Sequence, residues 1–273
     1  MILPIDVKAT VGFLHVLEGQ DYTPIGTCFF LNLGDGNQVF SYIVTSKHVV
    51  DGPVELGQDI YLRVNHSSAL TVEYVKLASH WVYHTDPQVD IAVSPRTSVP
   101  GSFPTSAAAI HTDWIVTRQR LLGPLIEGME VFFMGMLAQN NGLKRNHPVM
   151  RQGHLALITG EPIEGYYGPA QYYLIECASY LGNSGSPLFM PAQAPDGRPS
   201  LALLGVLTGS YRQRLLTTHD DDSFLSHLDS GISLVTPAEC ILEVLRQDEL
   251  VALRKQRLGA SRLSRSQPSI RDN

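Results

Sequence analysis

Apolar and polar positions alternate over short stretches through most of this chain, and turn residues interrupt them at short intervals. VGFLHVL (11–17), GTCFFLNL (26–33), QVFSYIVTS (38–46), DIYLRV (59–64) and LTVEYV (70–75) are rich in β-branched and aromatic residues. LGDGN (33–37) and DGPVELG (51–57) separate some of them, supplying the backbone angles that turns require. The pattern resumes at DIAVS (90–94), EVFFMGM (130–136), QYYLIEC (171–177), LALLGVLTG (201–209) and GISLV (231–235). Many short strands with little helical periodicity between them predict an all-β sandwich or a pair of barrels. The Pro/Ser/Thr-rich stretch that begins at Ser94 reads as a connector, giving lobes at 1–110 and 111–235. A helix is expected over 236–256. Thr236 would be its N-cap, Pro237 its first residue and Glu239 the partner in a capping box, with Ile241, Leu242, Val244, Leu245 and Leu250 near helical spacing. The basic, Ser-rich segment 257–273 is expected to be disordered.

Composition narrows the class. At 44% hydrophobic and 17% charged residues the chain is globular, not disordered. A net charge of −6 gives no pull toward nucleic acid or an anionic membrane, and no apolar run is long enough for a membrane span. Cys28, Cys177 and Cys240 are too few for a disulfide framework and form no CxxC pair. Reduced thiols, and an N-terminus without a basic n-region, predict a cytoplasmic location.

The candidate chemistry is nucleophilic. Amide hydrolysis through serine needs a hydroxyl, an imidazole to move its proton and a carboxylate to fix the imidazole tautomer. Backbone N–H groups must also face the developing oxyanion, which favours glycine beside the nucleophile. Gly182-Asn183-Ser184-Gly185-Ser186-Pro187 offers this, with Ser184 as nucleophile and the N–H groups of Gly182 and Ser184 as the oxyanion hole. His48 follows a strong apolar strand, and Asp90 opens another. The order His48, Asp90, Ser184 excludes the α/β-hydrolase and subtilisin arrangements. Asp86 is a rival acid, but it precedes Pro87 in a turn-like stretch, and Ser186 is a rival nucleophile. His80, His84 and Asp86 lack a metal-ligand pattern, and Asp220-Asp221-Asp222 lacks the spacing of a calcium loop, so neither metal nor cofactor is expected. The basic stretch from Arg254 reads as a solvated tail.

Taken together, GTCFFL, TSKHVV, DIAV, GNSGSP, GVLTGSY and GISLVTPAECILEVL resemble, in order, the motifs of the trypsin/chymotrypsin superfamily, and its bacterial, HtrA-like and viral trypsin-like branches more than its secreted digestive enzymes. The resemblance spans roughly residues 10–250. It implies two six-stranded antiparallel β-barrels with a C-terminal helix, and an active site between the barrels. It also implies an extended protein or peptide substrate along Thr208, Gly209 and Ser210, with Ala178 at the base of the specificity pocket. Lacking a carboxylate at Ala178, the pocket is expected to take a small or apolar residue. Asn183 stands where the family's aspartate pairs with a newly cut amino terminus, so no zymogen activation of that kind is expected. Ser186 stands where glycine is common. Two other readings stay open: a silent two-barrel module that binds peptides, and a peptidase active only with a regulatory partner.

Overall fold

The computed structural model describes residues 7–66, 71–77, 80–96, 108–117, 125–140, 142–194, 196–214 and 227–266. Most of the expected connector, the Asp220–Asp222 run and residues 267–273 lie outside the described residues.

The N-terminal half contributes β1 (Val11–Glu18), β2 (Asp21–Asp35), β3 (Gln38–Thr45), α1 (Lys47–Glu55), β4 (Ile60–Asn65), β5 (Val72–Lys76), β6 (Val82–Tyr83), β7 (Ala92–Pro95) and β8 (Ile110–His111). The C-terminal half contributes β9 (Glu130–Gly135), β10 (Val149–Ile158), β11 (Ile163–Gly165), β12 (Gly168–Ala170), β13 (Tyr173–Glu176), β14 (Pro187–Gln193), β15 (Pro199–Arg214) and β16 (His227–Pro237). Two helices follow, α2 (Glu239–Leu245) and α3 (Asp248–Ser266).

The second half matches the expected barrel: β10, β13, β16, β15, β14 and β9 close on themselves. The first half does not show the expected second closed barrel among the described residues. Among the described residues it is an eight-stranded sheet in the order β5-β4-β1-β2-β3-β7-β6, with β8 parallel to β2. No hydrogen-bonded pairing joins the end strands β5 and β6, and β6 is only two residues long.

Burial on both faces explains why several strands read as nearly continuous apolar runs. In β2, Phe29 and Leu31 face the core shared by the two halves, while Cys28 and Phe30 fill the interior of the first. In β9, Phe132 and Met134 join the shared core and Val131 and Phe133 fill the closed barrel. Ile241, Val244 and Leu250 of the terminal helices seal the shared core. Each such side chain contributes about 1.5–3 kcal/mol by leaving water, so the two halves are fixed to one another.

The capping box does not form. Thr236 and Pro237 finish β16, Ala238 is the N-cap of α2 without a side-chain bond, and the buried Thr236 hydroxyl has no hydrogen-bond partner among the described residues. Strand pairing of Thr236 with Val206 overrides the local cap signal. The expected single helix is two, and α3 continues past 256 to Ser266. No helix among the described residues is long and apolar enough to cross a membrane.

Candidate active site

The crevice between the two halves is about 730 Å³ in volume, and His48, Asp90 and Ser184 all line it. His48 sits in the first turn of α1, where backbone N–H groups lack partners within the helix. The N-cap hydroxyl of Ser46 does not cap; it donates to the carbonyl of Leu207 at 3.0 Å, joining the two halves. Asp90 caps instead. Its Oδ1 accepts the backbone N–H of His48 at 3.0 Å, and its Oδ2 lies 2.6 Å from His48 Nδ1. Asp90 is fully buried, so these donors, with the positive end of the α1 dipole, replace the water its anion would need. A carboxylate on Nδ1 holds the proton there and leaves Nε2 as an acceptor. No hydrogen bond joins Nε2 to Ser184 among the described residues, and such contacts commonly tighten only when substrate binds.

The loop before β14 carries Ser184. Gly182 (φ +92°) and Gly185 (φ +87°) occupy left-handed backbone, and a Cβ on Gly185 would come within 1.9 Å of the carbonyl oxygen of Thr27. Within the loop, the N–H of Asn183 donates to Tyr180, that of Gly185 to Leu207 and that of Ser186 to Asn183. The N–H groups of Gly182 and Ser184 donate to nothing among the described residues. They are the two that the sequence assigns to an oxyanion hole.

Asn183 is buried and locks this loop. Its Oδ1 accepts the Tyr180 N–H at 2.8 Å, and its Nδ2 donates to the Met136 carbonyl at 2.6 Å. Ser186, the rival nucleophile, is fully buried with its hydroxyl donated to Asn183 at 2.6 Å. A Cβ at Gly135 would lie 2.1 Å from that hydroxyl, so the glycine in β9 makes its room.

Sequence reading missed Thr27. Its N–H donates to Ser184 O at 2.8 Å and its hydroxyl to Gly182 O at 2.6 Å; the hydroxyl also accepts the Met136 N–H at 2.9 Å. The available signal was a polar residue in the strand GTCFFL, where a fully buried hydroxyl requires partners.

Thr208, Gly209 and Ser210 line the same crevice. The pairing of β15 with β14 stops at Val206, so beyond Leu207 only the β16 side of β15 is paired. Ala178 is not among the residues lining the crevice; Ser179 and Tyr180 are. Tyr180, Leu181 and Tyr211 are exposed at its rim.

The rival acid and the histidines serve elsewhere. His80 Nε2 lies 2.9 Å from Glu249, and His84 Nε2 lies 2.6 Å from Glu243. Potential ligand atoms of His84, Cys240 and Glu243 lie within 4.8 Å of one another. However, the Asp86 N–H donates to His84 Nδ1 at 3.0 Å, which keeps the neutral ring's proton on Nε2, facing Glu243. Binding a metal at Nε2 would force that proton onto an occupied nitrogen. Burial, reinforced by Glu243 and Glu239, also pushes the Cys240 thiol up to about 12, opposing a thiolate ligand. The cluster therefore clasps α2 to the segment leading into Asp90.

No family model matches the chain, and no curated protein sequence does. Solved structures do. The MamO protease domain from Magnetospirillum magneticum, in its apo form, superposes with a TM-score of 0.55 at 15% identity, covering 88% of this chain and 98% of that one. The chain has the trypsin-like serine protease fold. Rv3671c from M. tuberculosis H37Rv is also similar: a mutant in an inactive form has a TM-score of 0.48 at 17% identity, covering 88% of this chain and 86% of that one. The Rv3671c protease in its inactive form gives 0.47 at 16%, covering 87% of each chain.

Proposed function

We propose that this protein is a serine endopeptidase. His48 takes the proton of Ser184 as its oxygen attacks the scissile carbonyl, and the oxyanion forms against the N–H groups of Gly182 and Ser184. The same imidazole protonates the leaving amine, then activates the water that releases the acyl group. The observation that carries this reading is the 2.6 Å contact between His48 Nδ1 and the fully buried Asp90, in the crevice that also holds Ser184. The substrate pairs as an added strand along Thr208–Ser210, and Ser179 and Ser210 favour a small, uncharged residue at the cleavage site. Asn183, satisfied by Tyr180 and Met136, makes activation by a new amino terminus unnecessary.

A partner-gated peptidase is the second reading, favoured by the ring of Tyr166 stacked on His48. Digestion of a proteome-derived peptide library, read by mass spectrometry, tests the main reading. Wild type is expected to give cleavages that Ser184→Ala loses by at least about 10³-fold; equal cleavage by both proteins would refute it.

A further inference from the structure

The basic stretch from Arg254, expected to be solvated, begins with a residue that is only 9% exposed. Arg254 lies on α3 and reaches two other elements. Its Nη1 donates to the Tyr42 hydroxyl in β3 at 2.9 Å, and its Nη2 donates to the Leu245 carbonyl, at the end of α2, at 2.8 Å. The negative end of the α2 dipole offsets part of the charge. Both acceptors are neutral, however, and no carboxylate pairs with Arg254 among the described residues. The two bonds also leave other N–H groups of the guanidinium fork unused. Tyr42 is 3% exposed and accepts from Arg254, while its own hydroxyl proton goes to no acceptor among the described residues.

Both side chains line a cavity of about 120 Å³. Phe40, Pro95, Leu250 and Leu253 give it apolar walls, and among the described residues no carboxylate lines it. It shares no lining residue with the crevice that holds His48, Asp90 and Ser184. A buried cation and a buried hydroxyl proton without acceptors carry a desolvation cost that an anion would remove. The planar guanidinium matches a carboxylate in shape, and a neighbouring hydroxyl can donate to the same group. Inorganic phosphate would leave the apolar walls unused, and a plain hydrocarbon would leave the donors unmet. Size sets the rest: a cavity of about 150 Å³ holds benzene, so about four to six carbons fit here. We propose that this cavity binds a short aliphatic monocarboxylate, with the carboxylate on Arg254 and Tyr42 and the hydrocarbon body against Leu250 and Leu253. The site stands independently of the peptidase reading.

Isovalerate is the probe, titrated into the full chain and followed by saturation-transfer NMR and by Tm. Saturable binding with a Kd of about 1 mM or tighter is expected, with a rise in Tm as the acid saturates. Isoamyl alcohol, which has the same body without the charge, should bind at least about 10-fold more weakly, and so should inorganic phosphate. Arg254→Gln should weaken isovalerate binding by a similar factor. Leu253→Phe narrows the cavity while leaving both Arg254 bonds in place, and keeps the test open should Arg254→Gln fail to fold; it should also lose binding. Absence of saturable isovalerate binding would mean a cavity filled by water only and overturns the site. Equal binding of the alcohol or of phosphate overturns the ligand class. Full affinity in a folded Arg254→Gln or in Leu253→Phe overturns the location.

Discussion

Thr27, in the first half of the chain, donates its backbone N–H to the carbonyl of Ser184, in the second, at 2.8 Å. Its side chain reaches the same loop, donating to Gly182 and accepting from Met136. One residue thus fixes the backbone on both sides of Asn183, and with it the direction of the two N–H groups that would face an oxyanion. Thr27→Val keeps the shape and removes only the hydroxyl. Losing two buried hydrogen bonds should cost about 1–3 kcal/mol of stability, read by urea unfolding. Fluorophosphonate labelling of Ser184 should slow by about 10-fold, a larger effect than a peripheral core change produces, since each oxyanion donor is worth 10²–10³-fold in comparable enzymes. Unchanged labelling would remove Thr27 from this role.

Asn183 makes a second prediction. Asn183→Ala strands the Tyr180 N–H and the Met136 carbonyl, at about 1–3 kcal/mol for each buried group. A fusion that blocks the amino terminus should leave labelling of Ser184 unchanged, because no new ammonium is needed to order the loop. Labelling that appears only after an N-terminal cut would contradict this.

Gly185 admits no side chain. Its φ of +87° and the 1.9 Å approach of an added Cβ to the Thr27 carbonyl combine backbone strain with a clash against main chain. Gly185→Ala should destabilise the protein by about 3 kcal/mol or more, seen as a fall in Tm. A Tm equal to that of wild type would show that the two halves can separate locally at little cost.

His15 sets a pH dependence away from the crevice. Burial lowers its pKa to about 4; the Phe13 carbonyl opposes this and the Arg63 charge adds to it. Unfolded, the imidazole titrates near 6.5, so between these values the unfolded chain holds the extra proton and stability falls as pH drops. From pH 7.5 to 5 the loss due to His15 should be about 2 kcal/mol. A His15→Phe variant should lose correspondingly less, measured by urea unfolding at both pH values; identical losses would assign the effect to other groups.

Strands with apolar residues on both faces were legible in the sequence, since runs such as GTCFFL and EVFFMGM need no partner to be recognised. Helix α1 was not, because Gly52 and Pro53 lie inside it. Pro53 has no N–H to donate, and DGP otherwise signals a turn. The strand β10 was hidden by its exposed alternate positions, Met150, Gln152 and His154. The false capping box arose because Thr236 answers to strand pairing before it can cap a helix. At the site, motif order singled out His48, Asp90 and Ser184, which line one crevice, whereas Thr27 and Tyr166 make their contacts with partners distant in the chain. No local pattern announces a tyrosine that will lie on His48 from the other half of the molecule.

The most direct test is fluorophosphonate labelling of purified wild type, His48→Ala, Asp90→Asn and Ser184→Ala, followed by peptide mapping. One modified residue, Ser184, is expected in wild type. Labelling should be abolished in Ser184→Ala and reduced by orders of magnitude in His48→Ala and Asp90→Asn, where the imidazole is missing or loses the carboxylate that fixes its tautomer; an acid-to-amide change of this kind costs about 10⁴ in kcat in a well-studied triad enzyme. Folded wild type that stays unlabelled, or labelling at Ser184 that does not depend on His48, would contradict an assembled nucleophile.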